Sequence, residues 1–356
     1  MRTVLLTPII LLLLLAAVYL LTPQAELELE PTHGGYLDAH APLVGIGAGG
    51  SGCYVHPDLL GSLRFRLYLH GMGVTRDELK EHGDALIARR LSRMISTSGH
   101  INRAVLLALD GVVHDDDLDR AATLVYVPND FAARMAERYP NLEFGASINP
   151  DRSDWRRRLT QAARRGAVLV RWLPALMNID PADPRYRDFY RQLVELDLPL
   201  LVHVGEHGAA GDRANQLGDP SRLALALDTG VTVIAAHAGA GGAYRGRPSH
   251  QRLLSMLAEY PNLYIDISGL TQINKIGYLV EILESAGAGE RMLYGSNWPL
   301  LFFPMVSGFY HWPDVDLSVA KTIHHVDGRL DRDVLLKRAL GVPDAAFARS
   351  EKLLLR

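Results

Sequence analysis

Histidines stand at the ends of short apolar segments in this 356-residue chain. His203 and His237 each close such a run, and His40 closes a shorter one near the start. Buried parallel strands read as continuous apolar runs, and polar residues at their C-terminal ends form the usual active site of an α/β barrel. An imidazole can bind a metal ion or move a proton near neutral pH. The spacing therefore predicts a histidine site at one end of a barrel.

Other polar side chains occupy similar or neighbouring positions. Arg171 lies near the end of a further apolar run, and Asn297 stands at the end of another. Glu206 and His207 follow His203 closely. Arginine binds carboxylate or phosphate through its forked donors, so Arg171 favours an anionic ligand. These residues extend the predicted site beyond the three histidines.

The elements that must position these residues alternate along the chain. Candidate strands cover residues 36–40, 104–110, 143–149, 167–172, 199–204, 231–237, 263–268 and 292–296. Stretches with helical spacing of apolar residues cover 76–98, 130–138, 154–165, 185–196, 221–227, 251–259 and 276–286, with further helices at 331–340 and 345–355. This alternation predicts the α/β class and a closed, distorted (β/α)8 TIM-like barrel. An open doubly wound sheet is the alternative.

The N-terminus differs from the rest of the chain. Residues 4–21 carry no charge and follow Arg2, which is typical of a segment that crosses the cytoplasmic membrane with its N-terminus inside. A cleavable signal peptide is the alternative, although Pro23 makes cleavage after Ala25 unfavourable. An anchored barrel would lie on the outer side of the membrane, periplasmic or extracellular. We expect a signal anchor or signal peptide over 1–24, a linker over 25–35 and the barrel domain with its C-terminal helices over 36–356.

The composition excludes some classes of protein. A formal net charge of −3 gives no electrostatic basis for nucleic-acid binding. Cys53 is the only cysteine, so no intramolecular disulfide can form, and we expect a small buried apolar group there. Residues 47–52 match the dinucleotide-binding spacing G-x-G-x-x-G, but no helix with apolar periodicity follows directly. A flexible loop at the end of a strand is the favoured interpretation of that segment.

Several short motifs occur together in one order along the chain. They lie at 38–40, 126–130, 171–174, 202–207, 236–239, 294–299 and 336–341. Through them the chain resembles the amidohydrolase superfamily, in its amidohydrolase-related (amidohydrolase 2) branch, over about residues 36–345. That branch contains metal-dependent hydrolases and decarboxylases that act on aromatic acids. The resemblance implies a barrel enzyme with its site at the strand ends.

Three positions depart from the family pattern. The first strand of the family carries His-x-His, whereas Pro42 follows His40 here. Asn297 stands where the family carries a metal-binding Asp, and an amide cannot accept the proton of an attacking water. Some relatives carry a carboxylated Lys at the position of Arg171, which stays protonated. All three changes weaken a cation site, so a pocket without a metal is an alternative.

The resemblance implies a hydrolase that acts on a small organic substrate, which could be anionic, through a metal-activated water. It assigns catalysis to His237 and Asn297, and it assigns a single divalent metal, with zinc favoured, to His40 and His203. Asp38 or Glu206 could complete the metal site, and the expected substrate-binding residues are Arg171, Glu206, His207 and Trp298. One alternative is a catalytically impaired, metal-free barrel that binds a small anion or a partner protein. Another is a decarboxylase of an aromatic acid, and a homo-oligomer is compatible with the sequence.

Overall fold

The computed structural model describes residues 19–27 and 35–355. Its centre is a sheet of eight parallel strands that follow one another in chain order. They are β1 Tyr36–Pro42, β2 Ile101–Leu107, β3 Leu142–Ala146, β4 Ala167–Trp172, β5 Leu200–His203, β6 Val233–Ala236, β7 Leu263–Asp266 and β8 Met292–Leu293. The N–H of Ala39 in β1 donates to the carbonyl of Tyr294, 3.1 Å away and directly after β8, so the two edge strands meet. The predicted (β/α)8 barrel is confirmed, and the open sheet is wrong.

The register of the strands brings the polar residues to one end of the barrel. His203 pairs with Ala236 across β5 and β6, so His237 leaves the sheet at the same level as His203. Asp266 pairs with Leu293 across β7 and β8, which places it at that end too. Because all strands are parallel, their C-terminal residues form one rim.

Two layers of apolar side chains stabilise the barrel. One cluster joins buried residues of several strands, such as Leu37, Leu201 and Ile234, with Leu353 and Leu354 of the last helix. A larger cluster fills the space between the sheet and the surrounding helices. Complete burial of each Val, Leu or Ile contributes about 1.5–3 kcal/mol, so these layers account for much of the stability of the barrel.

Helices of four to twelve residues surround the strands. They span Pro57–Leu60, Leu63–Met72, Arg76–His82, Ala85–Ser96, Asn129–Arg138, Trp155–Arg164, Pro174–Met177, Arg187–Glu195, Asp212–Asn215, Ala224–Asp228, Ser249–Leu257, Tyr278–Leu283, Ala288–Arg291, Leu317–His324, Arg329–Ala339 and Asp344–Leu354. The single helix predicted over 76–98 is divided at Gly83, whose φ of +79° cannot continue a right-handed helix.

Shorter elements decorate the loops between strands and helices. Three two-stranded antiparallel sheets pair Tyr54–Val55 with Val125–Tyr126, Val113–His114 with Asp117–Leu118, and Ala243–Tyr244 with Arg247–Pro248. Single turns of 3-10 helix lie at Ala48–Gly50, Pro184–Tyr186, Gln216–Gly218, Pro220–Leu223, His237–Gly239, Ile273–Lys275 and Gly308–His311. The turns at His237–Gly239 and Ile273–Lys275 follow β6 and β7 and help to shape the rim of the barrel.

The predicted membrane location requires correction. Among residues 19–27 and 35–355, no helix is long and apolar enough to cross a membrane. Spanning takes about 20 consecutive apolar residues, whereas the longest described helix, Ala85–Ser96, has 12. The predicted location, an anchored barrel on the outer side of the cytoplasmic membrane, is contradicted by this finding and is withdrawn. Most of the predicted 4–21 segment lies outside the described residues.

Residues 19–27 pack against the barrel domain. Lys321 Nζ donates to the carbonyls of Tyr19 and Thr22 at 2.8 and 2.7 Å. The hydroxyl of Thr322 donates to the carbonyl of Ala25 at 3.0 Å. All three hydrogen bonds come from the helix Leu317–His324, so this helix holds residues 19–27 against the barrel domain.

Candidate active site

A cavity of about 360 Å³ opens at the C-terminal ends of the strands. The structure brings together here the predicted residues His40, Arg171, His203, Glu206, His207, His237 and Asn297. The helix Leu63–Met72 contributes Arg64 and Tyr68 to the lining of this cavity. Trp298 does not line this cavity, because its side chain is buried in the core with 1% exposure.

His40 is held by a carboxylate that the sequence analysis missed. Its Nδ1 lies 2.6 Å from Oδ2 of Asp266, the last residue of β7, and both side chains are buried. Burial alone would raise the pKa of Asp266, but the neighbouring His40 lowers it to about 2. The carboxylate is therefore ionised and accepts the Nδ1 proton of His40. The only sequence signal was one acidic residue inside the apolar run of β7.

His237 is oriented by the segment that follows β7. Its Nδ1 lies 2.8 Å from the carbonyl oxygen of Ser268 and 2.9 Å from the Ser268 hydroxyl. Since a carbonyl only accepts, Nδ1 carries the proton and Nε2 is left with its lone pair. Burial, reinforced by His40, lowers the pKa of His237 to about 3, so this imidazole is neutral near pH 7. The rings of His40 and His237 lie 5.0 Å apart.

His203 lies between His237 and His207. Its ring centroid is 5.2 Å from that of His237 and 5.1 Å from that of His207. Nε2 of His203 is buried and has no hydrogen-bond partner in the described part of the chain. Burial, with His207 and His237 nearby, holds the pKa of His203 well below its usual value. Burial also lowers the pKa of His207 to about 4.

The donor set fits a divalent metal ion. Ligand atoms of His40, His237 and Asp266 lie within 4.8 Å of one another. Metal-binding imidazoles must be neutral, and their second nitrogen is usually held by a carboxylate or carbonyl, as Asp266 and Ser268 do here. The buried Nε2 of His203 is a further nitrogen that finds no hydrogen-bond partner among residues 19–27 and 35–355.

Asp38, predicted as an additional ligand, has another role. Its Oδ1 accepts hydrogen bonds from the backbone N–H groups of His40 and Ser296 at 2.9 and 2.8 Å. Its Oδ2 accepts a hydrogen bond from the Ser296 hydroxyl. Burial raises the pKa of Asp38 despite these hydrogen bonds. The N–H of Asn297 also donates to the carbonyl of His40 at 3.1 Å. These contacts join β1 to the segment after β8, and Asp38 is occupied by them.

Arg171 brings a buried positive charge to the cavity. It is 7% exposed, and its Nε has no hydrogen-bond acceptor among the described residues. Burial lowers the pKa of Arg171 to about 10, which leaves the guanidinium charged at neutral pH. Lys275, which the sequence analysis missed, also lines the cavity, whereas Glu206 is the exposed carboxylate at its edge.

The glycine-rich segment 47–52 is organised by Asp84 and not by a ligand. The carboxylate of Asp84 accepts the N–H groups of Ile46 and Gly47 at 3.0 and 2.9 Å and the Ser51 hydroxyl at 2.5 Å. The N–H of Gly47 is thus already used, and the Asp84 carboxylate beside the segment would repel a phosphate. The structure supports the strand-end loop over the nucleotide site. Cys53 beside it is buried, as expected.

Barrel topology and a histidine-lined rim define a TIM-like barrel protein with a site of the amidohydrolase type. The family model described as Amidohydrolase matches residues 97–317, which is more than half of the chain. The chain therefore belongs to the amidohydrolase family, in the amidohydrolase 2 branch, and the resemblance found in the sequence is confirmed. No curated protein matches the chain.

Solved structures share the fold at low sequence identity. An uncharacterised TIM-barrel protein from Bordetella bronchiseptica is 18% identical, with a TM-score of 0.54, over 85% of this chain and 99% of that chain. A putative 2-pyrone-4,6-dicarboxylic acid hydrolase from Pseudomonas putida is 17% identical, with a TM-score of 0.49, over 90% and 94%. A 5-carboxyvanillate decarboxylase from Novosphingobium aromaticivorans, solved with manganese, is 14% identical, with a TM-score of 0.49, over 93% and 100%. At these identities the likeness concerns the fold.

Proposed function

We propose that the cavity is the active site of a hydrolase for small organic substrates that carry a carboxylate. The observation that carries the proposal is Arg171, a buried guanidinium with an unused Nε that shares one cavity with the histidines. A buried charge without a partner is costly, and a carboxylate offers two acceptors to its fork of donors. Apolar side chains line another part of the cavity, among them Leu43, Met72, Leu109, Leu173 and Leu176. A substrate with an apolar body and one acidic group fits this lining.

The histidines divide into two roles in this proposal. His40 and His237 would hold a single divalent metal, which supplies Lewis-acid polarisation and a more acidic water when bound, and Asp266 would orient His40 through its Nδ1–H. His203, neutral and with a free Nε2, is the group that accepts a proton. This exchanges the roles predicted for His203 and His237, because the group within 4.8 Å contains His237. Asn297 orients the substrate through its amide and transfers no proton.

A metal-free barrel that binds an anion is the second candidate. It is favoured by the cationic side chains that line the cavity, Arg64, Arg171 and Lys275, which oppose the binding of a further positive charge. Elemental analysis of protein purified without chelator distinguishes the two, combined with assays on lactones, amides and aromatic acids. We expect stoichiometric metal and turnover that stops on metal removal. Binding of benzoate with neither metal nor turnover would favour the second candidate instead.

Asn297→Asp tests the proton-transfer part of the proposal. An added carboxylate can take over the proton that the imidazole accepts, and a positioned general base contributes about 10²–10⁴-fold to a rate. We expect the hydrolytic kcat to rise by less than that range, because His203 already accepts the proton, while Asn297→Ala, the matched control, gives no increase. Equal rates for both variants and the parent would show that the rate is not limited by proton transfer at this position.

A further inference from the structure

Lys275 is a second feature of the cavity, and the proposed hydrolysis does not use it. It ends the turn Ile273–Lys275 that follows β7, and its side chain reaches the cavity wall. Its Nζ donates to the carbonyl of Ala240 in the loop after β6. No carboxylate of the described residues lies within ion-pair distance of Nζ, and the acidic residue that influences it is Glu206.

The loop after β6 is shaped around this amine. An ideal Cβ on Gly241 would lie 2.8 Å from Lys275 Nζ, and Gly241 has a φ of +102°. An ideal Cβ on Gly242 would lie 2.5 Å from Cγ of Glu206. Both glycines therefore provide space for the two side chains as well as the required backbone conformation. A side chain at position 241 would move the amine.

The chain has few lysines, and Lys275 differs from the others in its surroundings. The sequence has five lysines among 37 basic residues: Lys80, Lys275, Lys321, Lys337 and Lys352. Lys321 and Lys337 are engaged by backbone carbonyls, and Lys337 also by Asp333. Lys80 and Lys352 are exposed. Lys275 alone among the five lines the cavity, to which Arg171 also contributes.

We propose that Lys275 is an amine nucleophile that forms an imine with a small keto acid whose carboxylate binds Arg171. The amine nitrogen attacks the carbonyl carbon, the carbonyl oxygen leaves as water with two protons from nitrogen, and a C=N bond replaces C=O. No electrons are gained or lost. This activity goes beyond the proposed hydrolysis and shares with it only the carboxylate contact at Arg171.

The surroundings of Lys275 support a nucleophile over a simple point charge. Burial lowers the pKa of Lys275 to about 8, and Glu206 limits that shift. The charge of Lys275 helps to lower the pKa of His203, His207 and His237, and these three imidazoles are neutral near pH 7. Desolvated lysines with a lowered pKa are the ones that form Schiff bases. Arg171 or Lys321 could not replace it, because a guanidinium stays protonated and Lys321 is bound elsewhere.

Reductive trapping tests the proposal on the full-length protein. Pyruvate with cyanoborohydride at pH 8, followed by peptide mass mapping, reports the label at each lysine. Relative to an ordinary lysine with a pKa of about 10.4, the neutral fraction of Lys275 is on the order of 100-fold larger, so we expect at least about tenfold more label there than at Lys80 or Lys352. Lactate, which has the carboxylate but no ketone, should compete with the label.

Variants separate the imine from simple anion binding. Lys275→Arg keeps the charge and should abolish the label in the cavity while lactate still binds. Arg171→Gln should reduce labelling by pyruvate but not by propanal, which has no carboxylate. Equal label at Lys80, Lys275 and Lys352, or lactate binding with no adduct at Lys275, would overturn the proposal. Because mapping of the unaltered protein gives the main result, the test holds even if a variant does not fold, and it needs no hydrolytic activity.

Discussion

Two buried arginines in this barrel have almost equal exposure and opposite surroundings. Arg152 is 5% and Arg171 7% exposed. Nε and Nη2 of Arg152 donate to the two carboxylate oxygens of Asp110 at 2.8 and 2.7 Å, and this hydrogen bonding raises the pKa of Arg152. Arg171 has no carboxylate partner of this kind within the described part of the chain, and burial lowers its pKa to about 10. The guanidinium of Arg152 therefore stabilises the fold, whereas the guanidinium of Arg171 is available to a ligand in the cavity.

Burying the charge of Arg171 without a partner among the described residues lowers stability, and this loss of stability indicates a role in function. A paired buried charge recovers its desolvation energy from its partner, whereas an unpaired one does not. Asp110 also accepts the backbone N–H groups of Gly111 and Asn149, so the Arg152 pair connects the loop after β2 with the loop after β3. Among the described residues, the acidic groups that act on the pKa of Arg171 are Tyr68 and Asp266, and Asp266 is already bonded to His40. An arginine kept in that state is typical of a binding site.

The largest expected effect is on stability, at the paired arginine. Arg152→Met leaves Asp110 buried without its counter-charge, and the free energy of unfolding should fall by about 3–5 kcal/mol. Urea denaturation followed by circular dichroism measures this. The matched control is Arg157→Met on the surface, which should change stability little. A loss as small as that of the control would show that Asp110 is stabilised by its backbone contacts alone.

The second effect is on binding, at the unpaired arginine. Arg171→Met removes a buried charge with no partner, so stability should stay the same or rise, while affinity for benzoate should fall about 10- to 100-fold, as expected for a charged hydrogen bond worth roughly 1.5–3 kcal/mol. Calorimetric titration gives the affinity, and the urea curve of the same variant gives the stability. If Arg171→Met unfolds more easily but binds benzoate normally, Arg171 has a structural role like that of Arg152 and does not bind the anion.

The sequence could reveal the barrel because each strand is buried and therefore apolar. The same rule located His40, His203, His237 and Asn297 at strand ends, and the structure brings all four to one cavity. It could not reveal Asp266, because a lone acid in an apolar strand looks the same whether or not it faces a histidine. Lys275 was missed because its place depends on contact with Ala240, which is 35 residues away in the chain.

Tertiary contacts also decided the roles of predicted residues. Asp38 looked like a metal ligand beside His40, but its partner Ser296 is 258 residues distant. Trp298 follows the motif that ends in Asn297, yet its indole is buried in the core. The left-handed backbone of Asn297, with φ of +58°, separates these neighbours by turning the chain between them. Spacing along the sequence gives the end of the barrel to which a residue belongs, and packing gives its direction.

The smallest expected effect is the pH dependence of anion binding, which separates the contribution of Lys275 from that of Arg171. Lys275 and Arg171 both face an anion, but the pKa of Lys275 is lowered to about 8 and that of Arg171 to about 10, in each case mainly by burial. A cation helps an anion bind while it is protonated, so benzoate affinity should be full below pH 8. It should then fall in one step near pH 8 as Lys275 loses its proton, because the guanidinium of Arg171 keeps its charge. Calorimetric titration from pH 6 to pH 9.5 measures the profile, and Lys275→Arg should remove the step. A flat profile in the unaltered protein would mean that the anion contacts Arg171 alone, and that Lys275 faces a different part of the substrate.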